Sequence, residues 1–245
     1  MRLDVFLSDS GLVESRTDAK KFILGGFVSV NGKVISKPAF EVVGDEDIFV
    51  DKSSKKYVSR GGLKLEAALD EFSVDPSGRV AIDIGASSGG FTDCLLKRGA
   101  DKVYAVDAGV GQIAAHLRSD ARVHVFENYN ARYMESSHFE IQPTLAVMDV
   151  SFISATLIIP AIKSVLASGG DFICLIKPQF EVGKSGLGKG GIVKDVSLRK
   201  KAVEKVLESA SACGFDVIKV IESPIVGGSG NIEYLAHFVS KDDSL

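Results

Sequence analysis

The sequence predicts an α/β fold with a parallel sheet covered by helices, and two observations support this prediction. Apolar runs rich in Val and Ile, typical of strands buried on both faces, recur between residues 80 and 177. Helical patterns alternate with these runs, as in βαβ units. Four runs end on one charged residue, namely Asp83 in VAIDIG, Asp107 in VYAVDAG, Asp149 in LAVMDV and Lys177 in FICLIKP. Because ligands bind outside the carboxyl ends of parallel strands, we expect a functional site along this edge.

The composition limits the class of protein. A chain of 245 residues fits one medium domain plus a small one, and a net charge of −3 excludes a globally basic nucleic-acid binder, so RNA contacts would need a local patch. Cys94, Cys174 and Cys213 lie far apart, so we expect neither a metal site nor disulfides, and a reducing cytoplasm. No apolar stretch approaches the roughly 20 residues of a membrane span, so we expect no membrane partner.

The chain divides at the segment DKSSKKYVSRGG. This segment is polar and basic and ends in two glycines, which is typical of a linker. We therefore predict a small domain over residues 1–50, a basic linker over 51–62 and a larger α/β domain over 63–245. The small domain should begin with a short helix in LDVFLSDSGL. A second helix should begin after Ser15, which has Asp18 in capping-box position, and end at Gly25-Gly26.

After this helix the pattern becomes β-like. FVSVNGKVI places Asn-Gly between two β-prone arms, which predicts a type I′ hairpin, and KPAFEVVGDEDIFV should supply a further strand pair. Several basic residues fall on the second helix and the hairpin: Arg16, Lys20, Lys21, Lys33 and Lys37. Taken alone, they indicate no more than a solvated surface.

The order of parts in this domain adds to that interpretation. SRxxAxxxI, GxVxVNGxxVxKPxxxV and DxIxV follow one another and resemble the small α+β RNA-binding domain of ribosomal protein S-four, pseudouridine synthases and tyrosyl-tRNA synthetase. The resemblance implies that the five basic residues contact structured RNA through its phosphates. Such contacts give affinity and register but do not read sequence.

A glycine-rich turn follows the first strand of the larger domain, in VAIDIGASSGGFT, and leads into a helix near Gly90. Dehydrogenases and methyltransferases share such turns, which let a ligand approach backbone amides. The second glycine of GxGxxG is missing, which disfavours a bound pyrophosphate, and the leading Asp83 fits a methyltransferase that binds S-adenosylmethionine. The candidate cofactor residues here are Asp83, Gly85, Ala86, Ser87, Gly89, Gly90 and Phe91.

Two further positions complete the predicted cofactor site. Asp107 ends the second strand at about the spacing of a ribose-binding carboxylate, although it could instead cap a helix in GVGQIAAHL. Asn128 and Asn130 follow the third strand, RVHVF, where an amide could bond adenine, and of the two we favour Asn130.

Lys177 is the most informative single residue because it ends a buried strand and precedes Pro178, which keeps its backbone extended. An ammonium group there is costly unless it is paired or deprotonated, although a strand-end lysine can also extend to water. Asp149, at the end of another strand, could face the same crevice. Taken singly, Lys64 would be a solvated helix lysine and Glu233 a strand residue facing solvent.

Seven motifs follow one another along the chain: SRGGLKLEAAL, DIGASSGGFTDCLL, VDAGVGQ, MDVSFIS, LIKPQFEVG, KGGIVKD and SGNIEYLA. In this order and spacing they resemble the TlyA proteins, FtsJ-type ribosomal-RNA methyltransferases that are often named hemolysin A. The resemblance implies a Rossmann-like domain that uses S-adenosylmethionine to methylate the ribose 2′-hydroxyl of a cytidine in ribosomal RNA or a ribosomal subunit. It also implies that Lys64, Asp149, Lys177 and Glu233 form the catalytic tetrad.

The proposed chemistry fits these residue types, since a ribose hydroxyl needs a base to remove its proton as it attacks. Burial and the charge of Lys64 would favour a neutral Lys177, whereas the two carboxylates would favour the ammonium form, and the sequence leaves this open. EVGKSGLGKGGIVKD, with Lys189, should form an RNA-closing lid. Together with Arg60 and the lysines of the linker, it should extend the basic track from the N-terminal domain. The alternatives are a pore-forming hemolysin, although the buried sheet accounts for the apolar runs, and a non-catalytic RNA-binding or assembly factor.

Overall fold

The computed structural model describes residues 1–51, 56–227 and 230–242. The N-terminal region contains two helices and three short strands: α1 (Leu3–Asp9), α2 (Arg16–Leu24), β1 (Val28–Val30), β2 (Lys33–Val34) and β3 (Ile48–Val50). The strands form an antiparallel sheet in the order β2-β1-β3. Both helices contribute to a separate apolar core with the sheet, in which Leu3, Leu7 and Ile23 are fully buried. Part of the predicted linker, residues 52–55, lies outside the described residues.

Two local predictions for this region are confirmed. The oxygen of Ser15 accepts a hydrogen bond of 3.1 Å from the Asp18 amide, which caps α2. Val30 pairs with Lys33 across the hairpin, and Asn31 and Gly32 between them have φ angles of 49° and 73°. Both residues of a type I′ turn require positive φ, which is why Asn-Gly is favoured there.

The further strand pair expected in KPAFEVVGDEDIFV is wrong, because the described segment contains only β3 and an isolated bridge between Arg2 and Glu41. The backbone groups of this segment bond instead to the start of α1. The Leu3 amide donates to the Phe40 carbonyl at 2.7 Å, and the Val42 amide donates to the Met1 carbonyl at 2.8 Å. The segment therefore covers a helix end, which a strand pattern in the sequence does not reveal.

The rest of the described chain forms the predicted α/β fold. Its strands are β4 (Val80–Ile84), β5 (Lys102–Val106), β6 (Val123–Phe126), β7 (Leu145–Met148), β8 (Asp171–Ile176), β9 (Phe215–Glu222) and β10 (Tyr234–Ser240). Its helices are α3 (Gly61–Phe72), α4 (Gly90–Lys97), α5 (Ala115–Arg118), α6 (Ile159–Val165), α7 (Pro178–Glu181) and α8 (Val196–Ala212). The strands form one sheet in the order β6-β5-β4-β7-β8-β10-β9, and β10 alone runs against its neighbours.

Both faces of this sheet are buried, which explains the unbroken apolar runs in the sequence. Along β4, Ala81 belongs to the apolar core that includes α3 and α4, whereas Ile82 and Ile84 belong to the core that includes α6 and α8. The parallel strands β4, β5, β7 and β8 all present their carboxyl ends at one edge. Within the described ranges, none of the helices has both the length and the apolar character that a membrane span requires.

Candidate active site

The residues that follow β7 and β8 meet at the carboxyl edge of the sheet. The Lys177 ammonium lies 2.5 Å from the Asp149 carboxylate, and it also donates a hydrogen bond of 2.8 Å to the Ser151 hydroxyl. The Lys177 side chain is 12% exposed and that of Asp149 is 23% exposed. Lys177 is therefore a paired lysine at the rim of the sheet rather than a strand-end residue that simply extends into solvent.

A second ion pair joins α3 to the start of β10. The Lys64 ammonium lies 2.5 Å from the Glu233 carboxylate, and the two side chains are only 9% and 3% exposed. The interpretation of each residue alone as solvated is therefore wrong, because both side chains are buried and each charge is compensated by the other. Glu233 also accepts a hydrogen bond of 3.4 Å from the Gln179 amide, and Gly227 packs so closely that an added Cβ would lie 2.3 Å from Glu233 Oε1.

The two ion pairs face one cavity of about 240 Å³, which we call the catalytic cavity. Lys64, Asp149 and Lys177 line it, and Glu233 lies directly behind Lys64. The turn after β4 supplies the adjoining wall with Gly85, Ala86, Ser87, Ser88, Gly90 and Phe91. Residues that are distant in sequence thus converge on one volume that is open to a ligand.

The N-terminal region also contributes to the catalytic cavity, with Leu24, Gly25 and Gly26 at the end of α2. The Gly25 carbonyl accepts a hydrogen bond of 3.3 Å from the Arg60 amide. An added Cβ at Gly26 would lie 3.2 Å from Arg60 Nε, so the glycine lets the guanidinium lie against the helix end. Burial lowers the pKa of Arg60, although Glu233 and Asp51 act in the opposite direction.

The shape of the glycine turn depends on Gly85. Its φ is +85°, and a Cβ there would lie 2.4 Å from the backbone oxygen of Asp149. A side chain would therefore be strained and would collide with the end of β7. The turn is further held by Asp107, whose carboxylate accepts hydrogen bonds from the Ser87 amide at 2.7 Å and the Gly109 amide at 2.6 Å.

A second cavity of about 370 Å³ adjoins the first and shares Gly85, Ser87, Asp149 and Ser151 with it. Its remaining polar lining comes from Asp107, Gln112, Tyr129 and Asn130. The Asn130 side chain accepts a hydrogen bond of 3.1 Å from the Arg132 amide. The alternative that Asp107 caps a helix is wrong, because α5 begins only at Ala115 and its N-cap is Ala114.

Asp83 and Gly89 line neither of these two cavities. Asp83 is fully buried, accepts a hydrogen bond of 2.6 Å from the Thr92 hydroxyl, and has its pKa raised to about 7 by burial. Its other oxygen has no hydrogen-bond partner among the described residues. At Gly89, with φ of +96°, a Cβ would lie 2.3 Å from Leu117 Cδ1. Both residues therefore support the turn from behind.

The predicted RNA-binding residues do not gather at the cavity, except for Arg60. Arg16 donates to the buried Asp4 carboxylate at 3.0 Å, and its side chain remains 52% exposed. The remaining predicted residues are exposed on the N-terminal region or on the glycine-rich segment after α7: Lys20, Lys21, Lys33, Lys37 and Lys189. They are thus available to a ligand outside the catalytic cavity.

Several residues near the site were not singled out from the sequence. Phe152 is 92% exposed, has a φ of +65°, and its ring centroid lies 5.2 Å from that of Phe180. Ser151, Gln112 and Tyr129 line the cavities. Their position directly after the strand end in MDVSFIS could have indicated Ser151 and Phe152 as candidates. The orientation of their side chains, however, depends on the turn that follows β7.

Within the described parts of the chain, no group of three or more His, Cys, Asp or Glu residues is arranged to hold a metal ion. A mostly parallel sheet with one reversed strand, a glycine-rich turn after β4 and an acidic residue after β5 are the features of a Rossmann-like cofactor-binding domain. The chain belongs to the FtsJ-like methyltransferase family, whose model matches residues 57–239, and the S4 domain model matches residues 1–48.

Named relatives cover nearly the whole chain. It is 45% identical over 240 residues to "Hemolysin A" of Brachyspira hyodysenteriae, covering 98% of this chain and 100% of that protein. It is 41% identical over 243 residues to "16S/23S rRNA (cytidine-2'-O)-methyltransferase TlyA" of Mycobacterium tuberculosis, covering 99% and 91%. A solved structure named "Putative hemolysin from Streptococcus thermophilus" is 44% identical, with a TM-score of 0.79, covering 99% of this chain and 89% of that one.

Proposed function

We propose that the protein transfers the methyl group of S-adenosylmethionine to a ribose 2′-hydroxyl of ribosomal RNA, at a cytidine. The main observation in support is that two ion pairs, Lys64–Glu233 and Lys177–Asp149, lie beside one cavity. This cavity adjoins the glycine turn. The cytidine target is supported by the name of the Mycobacterium tuberculosis relative. No observation in the described structure favours pore formation over this chemistry.

The two adjoining cavities fit the cofactor. The turn from Gly85 to Ser88 would hold its amino-acid part, since Gly85 keeps the backbone open where any Cβ would collide with Asp149. Asp107 and Asn130 in the second cavity offer polar groups for ribose and adenine, and Asp107 carboxylate oxygens can accept further hydrogen bonds beyond the two they hold. When bound, S-adenosylmethionine supplies an electrophilic methyl group on a sulfonium.

In this proposal, Lys177 receives the proton of the attacking hydroxyl. Its amine lies between Asp149 and Ser151 and lines the catalytic cavity. To act as a base, the ammonium paired with Asp149 would first give up a proton to solvent. The free amine would then take the hydroxyl proton as the new oxygen–carbon bond forms and the methyl–sulfur bond breaks, and Asp149 would stabilise the ammonium that results. Fixing both reactants can lower the barrier by up to about 7–11 kcal/mol, so the rigid geometry of the four residues matters as much as the base.

The RNA would be held on both sides of this cavity. The S4 domain match and its exposed lysines support phosphate contacts by the N-terminal region. At the cavity rim, the exposed ring of Phe152 offers a platform for stacking on the target base, and stacking of this kind is worth about 1–3 kcal/mol per base. The positive φ of Phe152 supports such a role, because the turn holds the ring away from the apolar core.

The experiment that tests the proposal uses ribosomal subunits lacking the modification and S-adenosylmethionine with a labelled methyl group. We expect label on one or a few cytidine ribose oxygens, mapped by nuclease digestion and mass spectrometry. Lys177→Met should abolish transfer while cofactor binding persists. Lys102→Met is the matched control, because Lys102 begins β5 at the opposite edge of the sheet and pairs with Glu140 at 2.7 Å.

Three results would contradict the proposal: label on a base or on protein, transfer that survives in Lys177→Met, or no transfer to RNA by protein that binds the cofactor. The last would favour a non-catalytic RNA-binding factor. Lysis of red cells by purified, detergent-free protein would instead favour the activity suggested by the hemolysin name. Labelled transfer, cofactor binding and red-cell lysis are measured separately, so together they distinguish the methyltransferase, the non-catalytic factor and the hemolysin.

A further inference from the structure

The glycine-rich segment after α7, residues 183–195, is fixed at one end and open at the other. Gly183 and Gly190 have φ angles of +72° and +76°, and added side chains there would meet nothing within 4 Å. Lys184 and Lys189 in the same segment are exposed. Val193, in contrast, is only 1% exposed, and its carbonyl accepts a hydrogen bond of 3.0 Å from the Arg199 guanidinium. The open part therefore carries Lys184 and Lys189, whereas Val193 lies in the protein interior.

Asn231 holds this fixed end through both atoms of its side-chain amide. Its Oδ1 accepts a hydrogen bond of 2.9 Å from the Val193 amide, and its Nδ2 donates one of 3.0 Å to the Gly191 carbonyl. The residue is 1% exposed, and its own carbonyl accepts a hydrogen bond of 2.8 Å from the Gly227 amide. A buried amide with both polar atoms bonded to one backbone segment holds that segment in position, because breaking either bond would leave a polar atom of the buried Asn231 without a partner.

Asn231 is also next to the catalytic ion pair along the chain. Glu233 follows two positions later, and its backbone carbonyl accepts a hydrogen bond of 2.8 Å from the Ser223 amide. Gly227, which bonds to Asn231, is the residue packed against the Glu233 carboxylate. A displacement of the 191–193 backbone would therefore shift Glu233, and with it Lys64. It would be transmitted through a small number of buried contacts.

We infer that Asn231 is a positioning residue that couples the glycine-rich segment to the Lys64–Glu233 pair. The inference rests on the proposed function, and it adds that methyl transfer depends on the position of the glycine-rich segment. Phosphates held by Lys184 and Lys189 act on the segment, the two amide bonds of Asn231 transmit its position, and Glu233 orients Lys64 in the catalytic cavity. Bound RNA thereby completes the alignment of the site in which its own ribose reacts.

The test compares Asn231→Ala with Asn231→Asp in the full-length protein. In Asn231→Ala, hydrogen exchange at the Val193 amide should accelerate by about tenfold or more, and the ¹³Cε signal of Lys64 should shift. Single-turnover methyl transfer should fall by about 10–100-fold, while the Kd for S-adenosylmethionine stays within about twofold. Asn231→Asp keeps the acceptor for Val193 but loses the donor to Gly191, so protection of the Val193 amide should persist and transfer should fall less.

Ser223→Ala is the matched control. Its hydroxyl is 7% exposed and bonds to the Ile225 carbonyl at 2.9 Å within the same turn, with no contact to residues 183–195 among the hydrogen bonds of the described chain. It should change neither the Lys64 signal nor the rate of transfer. Faster exchange at Val193 with an unmoved Lys64 signal, or with an unchanged rate, would overturn the coupling. The exchange and Lys64 measurements need no RNA, so they judge the coupling even if the wild-type protein methylates nothing.

Discussion

The Lys64 ammonium and the Glu233 carboxylate lie 2.5 Å apart although 169 residues separate them in the chain. Both side chains are less than 10% exposed, at 9% and 3%. Taking two charges out of water costs several kcal/mol per ion, and their attraction compensates only when the geometry is good. Such a pair is therefore weak as a source of stability, and its value lies in holding an amine at a defined place in the catalytic cavity.

We predict that stability and activity respond differently to changes in this pair. Glu233→Leu leaves the Lys64 charge buried without its partner and should reduce the free energy of unfolding by about 3–5 kcal/mol. The double variant Lys64→Met, Glu233→Leu should recover most of this loss, because two apolar side chains replace two charges. Neither should transfer methyl groups. Denaturant unfolding and the transfer assay measure the two properties, and transfer by the stable double variant would refute a catalytic role for the pair.

The glycine turn allows a prediction with a matched backbone control. Gly85→Ala places a Cβ 2.4 Å from the Asp149 carbonyl at a φ of +85°. Gly78→Ala has a similar φ of +69° but nothing within 4 Å of the added Cβ. Both should lose about 1–2 kcal/mol through backbone strain, and Gly85→Ala should lose more through the collision. In calorimetric titrations, Gly85→Ala should bind S-adenosylmethionine weakly and Gly78→Ala normally. Equal affinities would exclude the turn as the cofactor site.

The stability of the N-terminal region should depend on Asp4 at acid pH. Hydrogen bonds from Arg2 and then Arg16 lower the pKa of this carboxyl from 3.8 to about 2. Because the pKa is lower in the folded state, the ionised carboxylate stabilises the fold above pH 3.8, and that contribution is lost as the pH falls toward 2. The difference in melting temperature between the wild type and Asp4→Asn should therefore shrink over this window.

A control for this pH effect is available on the same helix. Asp9→Asn changes an exposed carboxyl at the end of α1 and should stay within about 0.5 kcal/mol of the wild type. A melting difference for Asp4→Asn that stays constant down to pH 2 would show that the two arginine contacts do not form in solution.

RNA affinity should depend on salt through the lysines of the hairpin. The double variant Lys33→Ala, Lys37→Ala removes two exposed charges, so the slope of log K against log salt should decrease by roughly 1.4–1.8. Lys219→Ala, on the edge strand β9, is the control and should leave the slope unchanged. Filter binding across a salt series gives the slopes. A similar change in slope for both variants would mean that RNA binds by general charge and not at the N-terminal region.

Much of the fold could be predicted from the sequence because its signals are local. Asn31-Gly32 specifies a turn through backbone conformation, and the apolar run of β4 records burial on both faces. The missing strand pair in residues 37–50 shows the limit of such signals. Whether that segment bonds to another strand or to the end of α1 depends on long-range contacts that no short pattern contains.

In the candidate site, too, some residues could be predicted from local sequence signals and others depend on long-range contacts. Asp149 and Lys177 could be located because each ends a strand, and parallel strands end at one edge. The burial of Lys64 could not, because its helix position is typical of a solvated lysine until Glu233 is brought to it by β10. Asn231 lies in the motif SGNIEYLA but could not be singled out within it, since its contacts are with two backbone groups about 40 residues earlier in the chain.

The last turn of α2 forms part of the wall beside Lys64, through Leu24, Gly25 and Gly26. A fragment beginning after residue 50 would consequently lack one wall of the catalytic cavity, and would not simply be the α/β domain without the S4 domain. Solvent would enter from that side, and even a minimal oligonucleotide would be poorly enclosed. The end of α2 therefore belongs both to the N-terminal region and to the wall of the catalytic cavity.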